Sequence, residues 1–168
     1  EIISNKETNK IWYMNGNYED ISNWNLFVKN NSVLTWNHES KNETIKSKIK
    51  PGDIIAWYIK GKGFNSILKV IESPKSINSI ELSKFVPNWE SEYNSLKLWQ
   101  LHMDNHNYER IQITVEFLAT TNINFIKNAQ NINWNNEWTM GLRGSHCINP
   151  TNKFWKEQVI EMYKYLCK

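Results

Sequence analysis

Apolar residues recur along this chain at two spacings, and the switches between them mark its elements. Lys10-Ile11-Trp12-Tyr13-Met14-Asn15 reads as a first strand, ended by the turn Gly16-Asn17. From Glu19 to Lys29 the residues Ile21, Trp24, Phe27 and Val28 fall on one helical face. Ser32 to Trp36 is a second short strand, and Ile45 and Ile49 stand one helical turn apart, predicting a small surface helix before Pro51. Pro51-Gly52 then launches an apolar strand, Ile54–Ile59, and a basic, glycine-punctuated connection returns the chain through Ile67–Ile71 to Pro74.

The stretch from Ile80 to Trp99 alternates between helical and irregular patterns, broken at Pro87. Arg110 to Phe117 alternates strictly, so Ile111, Ile113, Val115 and Phe117 share one face of a strand. Asn122 to Asn136 is asparagine-rich and loop-like, anchored by Phe125, Ile126, Ile132 and Trp134. A closing helix follows the cap candidates Pro150-Thr151-Asn152, with Trp155, Val159, Met162 and Leu166 at core spacing. The order predicts an α+β fold on a curved, mainly antiparallel sheet. Its natural closure is a small β-barrel of five to six strands flanked by helices.

With 168 residues the chain suits one domain, 1–168, carrying an insert at about 76–108. No apolar run approaches the roughly eighteen residues of a membrane span, and no signal peptide opens the sequence. Cys147 and Cys167 form no framework spacing and read as free thiols, which points to an intracellular, reducing setting. The net charge of +3 permits a polyanionic partner without requiring one. Nine tryptophans in a chain this size are more than a core alone calls for, and they direct attention to aromatic recognition.

Four segments together resemble the PUA-like superfamily, in particular the EVE domain and its relative the YTH domain. Ile11-Trp12-Tyr13-Met14-Asn15 is similar to the aromatic opening strand of EVE domains. Thr35-Trp36-Asn37 resembles their Thr-Trp-Asp/Glu segment, and a Trp at the corresponding place walls the base cage of YTH domains. Lys50 to Tyr58 followed by Ile67 to Pro74 resembles the Gly-Asp strand pair of both, and Gly141-Leu142-Arg143-Gly144-Ser145 resembles a basic, serine-containing segment before the last helix. The likeness runs from Lys10 to Leu166, with Asn37-His38 replacing the usual acidic-glycine pair. It implies a module that binds nucleic acid carrying a methylated or otherwise modified base, in an aromatic pocket at the barrel mouth, with no cofactor.

Such a module needs flat aromatic surface, hydrogen bonds to the base edge and cations for the phosphates. Stacking on one aromatic contributes about 1–3 kcal/mol, and a buried methyl about 0.8 kcal/mol. The candidates for the base are Trp36, Asn37, Tyr58, Trp99 and Ser145. Trp36 ends a strand among polar residues, whereas Trp12 and Trp57 fit a core; covering the barrel mouth is the alternative use of Trp36. Asn37 offers an amide that both donates and accepts, or serves as a turn residue. Only one of Trp57 and Tyr58 can face a pocket, and we assign Trp57 to the core. Trp99, with Trp89, lies in the insert and could supply a second wall or pack on the barrel.

For phosphate the candidates are Lys60, Lys62 and Arg143. The two lysines flank Gly61 on a turn that is otherwise a solvated hairpin; Arg143 is one of only two arginines, where bidentate geometry would explain its retention over Lys. The expected partner is modified RNA or DNA, single-stranded or with a flipped base, with no membrane and with room for a fused or associated effector domain.

Rival chemistries are thinner. His102 and His106 have a helical metal spacing but no third ligand, and Cys147 has only its neighbour His146 as a base. Gly61-Lys62-Gly63 lacks the spacing of a phosphate-binding loop. The enzymatic alternative is an ASCH-like amidohydrolase acting on a modified nucleoside, for which Lys69, Glu72 and Thr114 are suitable residue types. A non-catalytic protein-interaction module is the third reading.

Overall fold

The computed structural model describes residues 10–16, 28–37, 45–59, 63–78, 80–81, 83, 109–121, 146–148 and 153–167. Among the described residues seven strands are present: β1 (Ile11–Gly16), β2 (Ser32–Asn37), β3 (Ile54–Ile59), β4 (Gly63–Val70), β5 (Lys75–Ile77), β6 (Glu109–Thr120) and β7 (His146–Ile148). One long helix, α1 (Lys153–Leu166), closes the described chain. The strands form one sheet in the order β2-β6-β4-β3-β1-β7, with β5 also paired to β6. Only the β1–β3 ladder is parallel; the others are antiparallel, as the sequence led us to expect.

The expected closure into a five- or six-stranded barrel needs correction. Among the described strands the sheet stays open, ending at β2 on one side and β7 on the other. β6 is its spine. Its first half pairs β2 along one edge and β5 along the other, and its second half pairs β4. Register shifts at Trp57/Tyr58 and Ile67/Leu68 insert extra residues into these ladders, and such bulges bend a sheet and increase its twist.

The sheet buries both faces. One core collects Trp12, Met14, Val33, Ile55, Trp57, Leu68, Ile111, Ile113 and Val115, with Phe117 packed at its margin. The strict alternation of β6 is thus realised. Ile45 and Ile49 also belong to this core: residues 45–48 are helical, but the pair points inward, leaving a surface helix only on its polar side. On the opposite face Ile11, Ile54, Ala56, Phe64 and Ile67 pack with Val159, Met162 and Leu166 of α1.

Other boundaries moved for physical reasons. β4 begins at Gly63, where φ is 124°, so the strand extends further towards the hairpin loop than the apolar run suggested. It ends at Val70, and Ile71 is 45% exposed. Pro74, which has no N–H for a ladder, separates β4 from β5, so the start of the expected insert is strand rather than insertion. β5 and β7, three residues each, were too short to show a period. The helix expected over Glu19–Lys29 falls largely outside the described residues, which show only its end at 28–29.

The join between β1, β3 and β4 is made by Asp53, only 1% exposed. Pro51-Gly52 forms a tight turn in which Asp53 N–H donates to Lys50 O at 3.0 Å, and Gly52 takes a φ of 92° that a side chain would oppose. The carboxylate accepts from Lys10 N–H (3.0 Å), Lys50 N–H (2.9 Å) and the Trp12 indole N–H (2.9 Å). The Asp53 carbonyl accepts from Val70 N–H at 2.8 Å, and Ile54 N–H donates to Lys10 O at 2.9 Å. Asp53→Ala removes three charge-assisted bonds and strands their donors. It should lower the unfolding free energy by about 3 kcal/mol or more in urea denaturation, and Trp12→Phe by about 1–2 kcal/mol. A loss below about 1 kcal/mol for Asp53→Ala would show that the carboxylate is dispensable.

Candidate nucleic-acid interface

The sheet distributes the described candidates between its two ends. Trp36 and Asn37 close β2, described there in backbone only, and their Cα partners on β6 are Arg110 and Glu109. Arg110 is buried and also pairs with Ile77 on the other side of β6. The guanidinium therefore belongs to the interior of this end of the sheet.

The other end carries the hairpin between β3 and β4. Trp57 is fully buried in the first core, as expected for it. Tyr58 is half-buried on the opposite face, its ring edge-on to Phe64 with centroids 5.1 Å apart and planes at 73°. That contact fixes the ring by packing against the residue directly across the ladder. Lys60 and Lys62 fall between β3 and β4 in sequence and lie outside the described residues, as do Trp99, Arg143 and Ser145. The His102/His106 pair lies outside them too, and among the described residues no group of three metal-ligating side chains occurs.

A polar patch that the sequence reading passed over sits beside this hairpin. Asn65 is 2% exposed and Ser66 is fully buried, although both stand in a largely apolar strand. Ser66 Oγ and Thr120 Oγ1 share a hydrogen bond of 2.8 Å across the β4–β6 ladder. Asn65 is the extra residue of the bulge, because Trp57 pairs with Ser66 while Tyr58 pairs with Phe64. Its carbonyl accepts from Thr121 N–H at 3.0 Å. The interruption Phe64-Asn65-Ser66-Ile67 was the available signal: two polar residues at the point where a buried strand leaves a turn.

The residues considered for amidohydrolase chemistry come together only in part. Thr114 Oγ1 donates to Glu72 Oε2 at 3.5 Å, and Glu72 is exposed. Lys69 is half-buried on β4, with exposed Glu116 as its cross-strand partner. Exposed in the bend between β4 and β5, the Glu72 carboxylate lacks the enclosure that tunes a general acid or base.

Among the described residues, one titration is displaced, and it lies elsewhere. On α1, a hydrogen bond to Cys167, repulsion from its thiolate, and burial raise Tyr163 above the ordinary tyrosine value of 10.0. Cys167 itself is an exposed free cysteine. A raised pKa means the folded chain holds the phenolic proton more tightly than the unfolded one. The associated stability is complete below pH 10 and disappears as pH climbs through the folded-state value. Ultraviolet titration, taken as the difference from Tyr163→Phe, should show Tyr163 ionising late. Cys167→Ala should move that ionisation back towards the ordinary value, and an unmoved titration would contradict the pairing.

No protein-family profile matches this chain, and no curated protein matches it in sequence. Its fold does match solved structures. The YTH domain of a Zygosaccharomyces rouxii protein in complex with N6-methyladenosine RNA superposes with a TM-score of 0.52 at 7% identity, over 98% of this chain and 91% of that one. A Toxoplasma YTH domain in apo form gives 0.51 at 12% identity, over 95% and 90%. A hypothetical protein from Leishmania major gives 0.52 at 9% identity, over 95% and 98%. At these identities the likeness is one of fold: the chain has a YTH-like α+β architecture.

Proposed function

We propose that this protein binds RNA or DNA carrying a modified base and performs no chemistry on it, as a member of the PUA-like group of EVE- and YTH-type modules. The observation that carries the reading is the YTH-like fold over nearly the whole chain, together with a neighbour in that fold whose structure contains N6-methyladenosine RNA. An N-methylated adenine is therefore the first base to test.

In this reading Trp36 stacks on the extruded base, Tyr58 and Trp99 add aromatic surface, and Asn37 and Ser145 bond its edge. Lys60, Lys62 and Arg143 hold the flanking phosphates. The bending of the sheet at its two bulges, where Asn65 of β4 and Leu118 of β6 are the extra residues, supports a curl that turns the β2 end and the hairpin end towards one mouth. One stacked face contributes about 1–3 kcal/mol, enough with a second to offset extrusion of a base from a single strand. The solvated position of Glu72 argues for binding over an amidohydrolase reaction.

Tryptophan fluorescence during titration with matched DNA and RNA strands, unmodified or methylated at adenine or cytosine, tests this. One methylated strand should quench preferentially, and Trp36→Ala should weaken its binding by about tenfold or more. Absence of binding to every strand at low salt would overturn the reading.

The lysines make a separate prediction. Lys60→Gln with Lys62→Gln should weaken modified and unmodified strands alike and flatten the dependence of log K on log salt by about one to two units. An unchanged slope would remove the hairpin from the phosphate path.

A further inference from the structure

Two lysines are brought together at the corner where β1 and β3 begin. Lys10 and Lys50 are both exposed, yet their backbone N–H groups bond to one carboxylate, that of Asp53. The residue before β1 and the turn before β3 are thereby held side by side, and two like charges with them. Lys48, also exposed, stands two residues before Lys50. Between them Ile49 is fully buried, which ties this basic segment to the main core.

The corner lacks acidic side chains to balance these charges. Asp53 is the one acidic residue from Ile45 to Ile71, and it is buried with its carboxylate turned to N–H donors, the Trp12 indole among them. Among the described residues none of Lys10, Lys48 and Lys50 forms an ion pair. The next strands differ. Lys69, the Cα partner of Ile54, is itself paired in register with Glu116, and Glu72 follows in the exposed bend. Unbalanced positive charge is thus confined to the starts of β1 and β3. Lys60 and Lys62 follow the far end of β3, six residues or roughly 20 Å from the corner.

We propose that Lys10, Lys48 and Lys50 form a second phosphate-contact surface, which takes the backbone of a single-stranded nucleic acid beyond the segment that carries the modified base. The inference extends the reading above and rests on it for the class of polyanion. Ammonium groups on an exposed edge attract phosphates as point charges and read no base. The bonds to Asp53 come from the backbone, so the lysine side chains are not needed for the corner to form. A strand long enough to reach both ends of β3 gains affinity that depends on salt and is blind to methylation.

The test places Lys10→Gln, Lys48→Gln and Lys50→Gln in one chain, which keeps every N–H bonded to Asp53. Fluorescence titration over a series of salt concentrations follows RNA strands of about twenty and about five nucleotides, each with and without N6-methyladenosine. For the long strand the triple variant should flatten the slope of log K against log salt by about two units, as for three phosphates on a single strand, and leave the methylated-to-unmethylated ratio unchanged. Binding of the short methylated strand should change by less than about threefold at physiological salt. Lys75→Gln with Lys164→Gln, at exposed lysines on β5 and α1, controls for net charge. Thermal melting establishes folding. If the triple variant melts early, Lys48→Gln alone decides, by a slope change of about 0.7, because its N–H is not an Asp53 donor.

An unchanged slope for the long strand, or an equal fall per lysine in the control, overturns the inference and leaves the reader standing. A flattened slope with no preference for methylated strands supports the corner and overturns the reader. Binding to phosphatidylserine vesicles that the triple variant loses while its RNA binding stays intact assigns the corner to a lipid surface, and the inference is overturned. If wild type binds no RNA at low salt, both fall.

Discussion

A single buried carboxylate holds the centre of this fold together. Asp53 must satisfy its negative charge without water, and it does so with two backbone N–H groups and the indole N–H of Trp12. Each donor comes from a different place: the start of β1, the residue before the Pro-Gly turn, and the interior of the main core. The same residue's backbone bonds to Lys50 and Val70 carry the constraint into β3 and β4. The parallel pairing of β1 with β3, which no hairpin can enforce, is thereby fixed in register at its first residue pair, Ile11 with Ile54. From that anchored corner the strands run to the hairpin and the bulge where Asn65 stands.

What could be read from the sequence follows the length and regularity of each signal. β6 was legible because its apolar residues alternate strictly from Ile111 to Phe117, and β3 because a Pro-Gly turn announces it. α1 was legible from the spacing of Val159, Met162 and Leu166, all buried. β5 and β7 were not, since three residues cannot display a period. The open sheet was not either: alternation reports which face is inside, and says nothing of whether the first and last strands meet. Asp53 read as part of a turn motif, and two of its three acceptor bonds depend on tertiary partners, 41 and 43 positions away in sequence.

The candidate site was legible in a different way. Trp57 went to the core as its apolar strand demanded, which leaves Tyr58 on the other face, ordered by Phe64. Asn65 and Ser66 were passed over because one polar pair in so asparagine-rich a chain looks ordinary until burial is known. Burial changes their meaning: a polar side chain in the open is solvated, whereas one inside a strand must find a partner. On the proposed reading, the YTH-like architecture gives the aromatic, amide and basic candidates a use in stacking, hydrogen bonding and phosphate contact rather than in catalysis.

The most direct test of that account is a nuclear magnetic resonance titration of the ¹⁵N-labelled protein with an N6-methyladenosine RNA strand and its unmethylated twin. The account predicts that the methylated strand shifts the signals of the Gly63–Ser66 segment and the indole N–H of Trp36, while that of buried Trp12, held by Asp53, moves little. Identical small shifts with both strands, or shifts confined to lysine-rich surface away from these residues, would contradict recognition of a modified base by this fold.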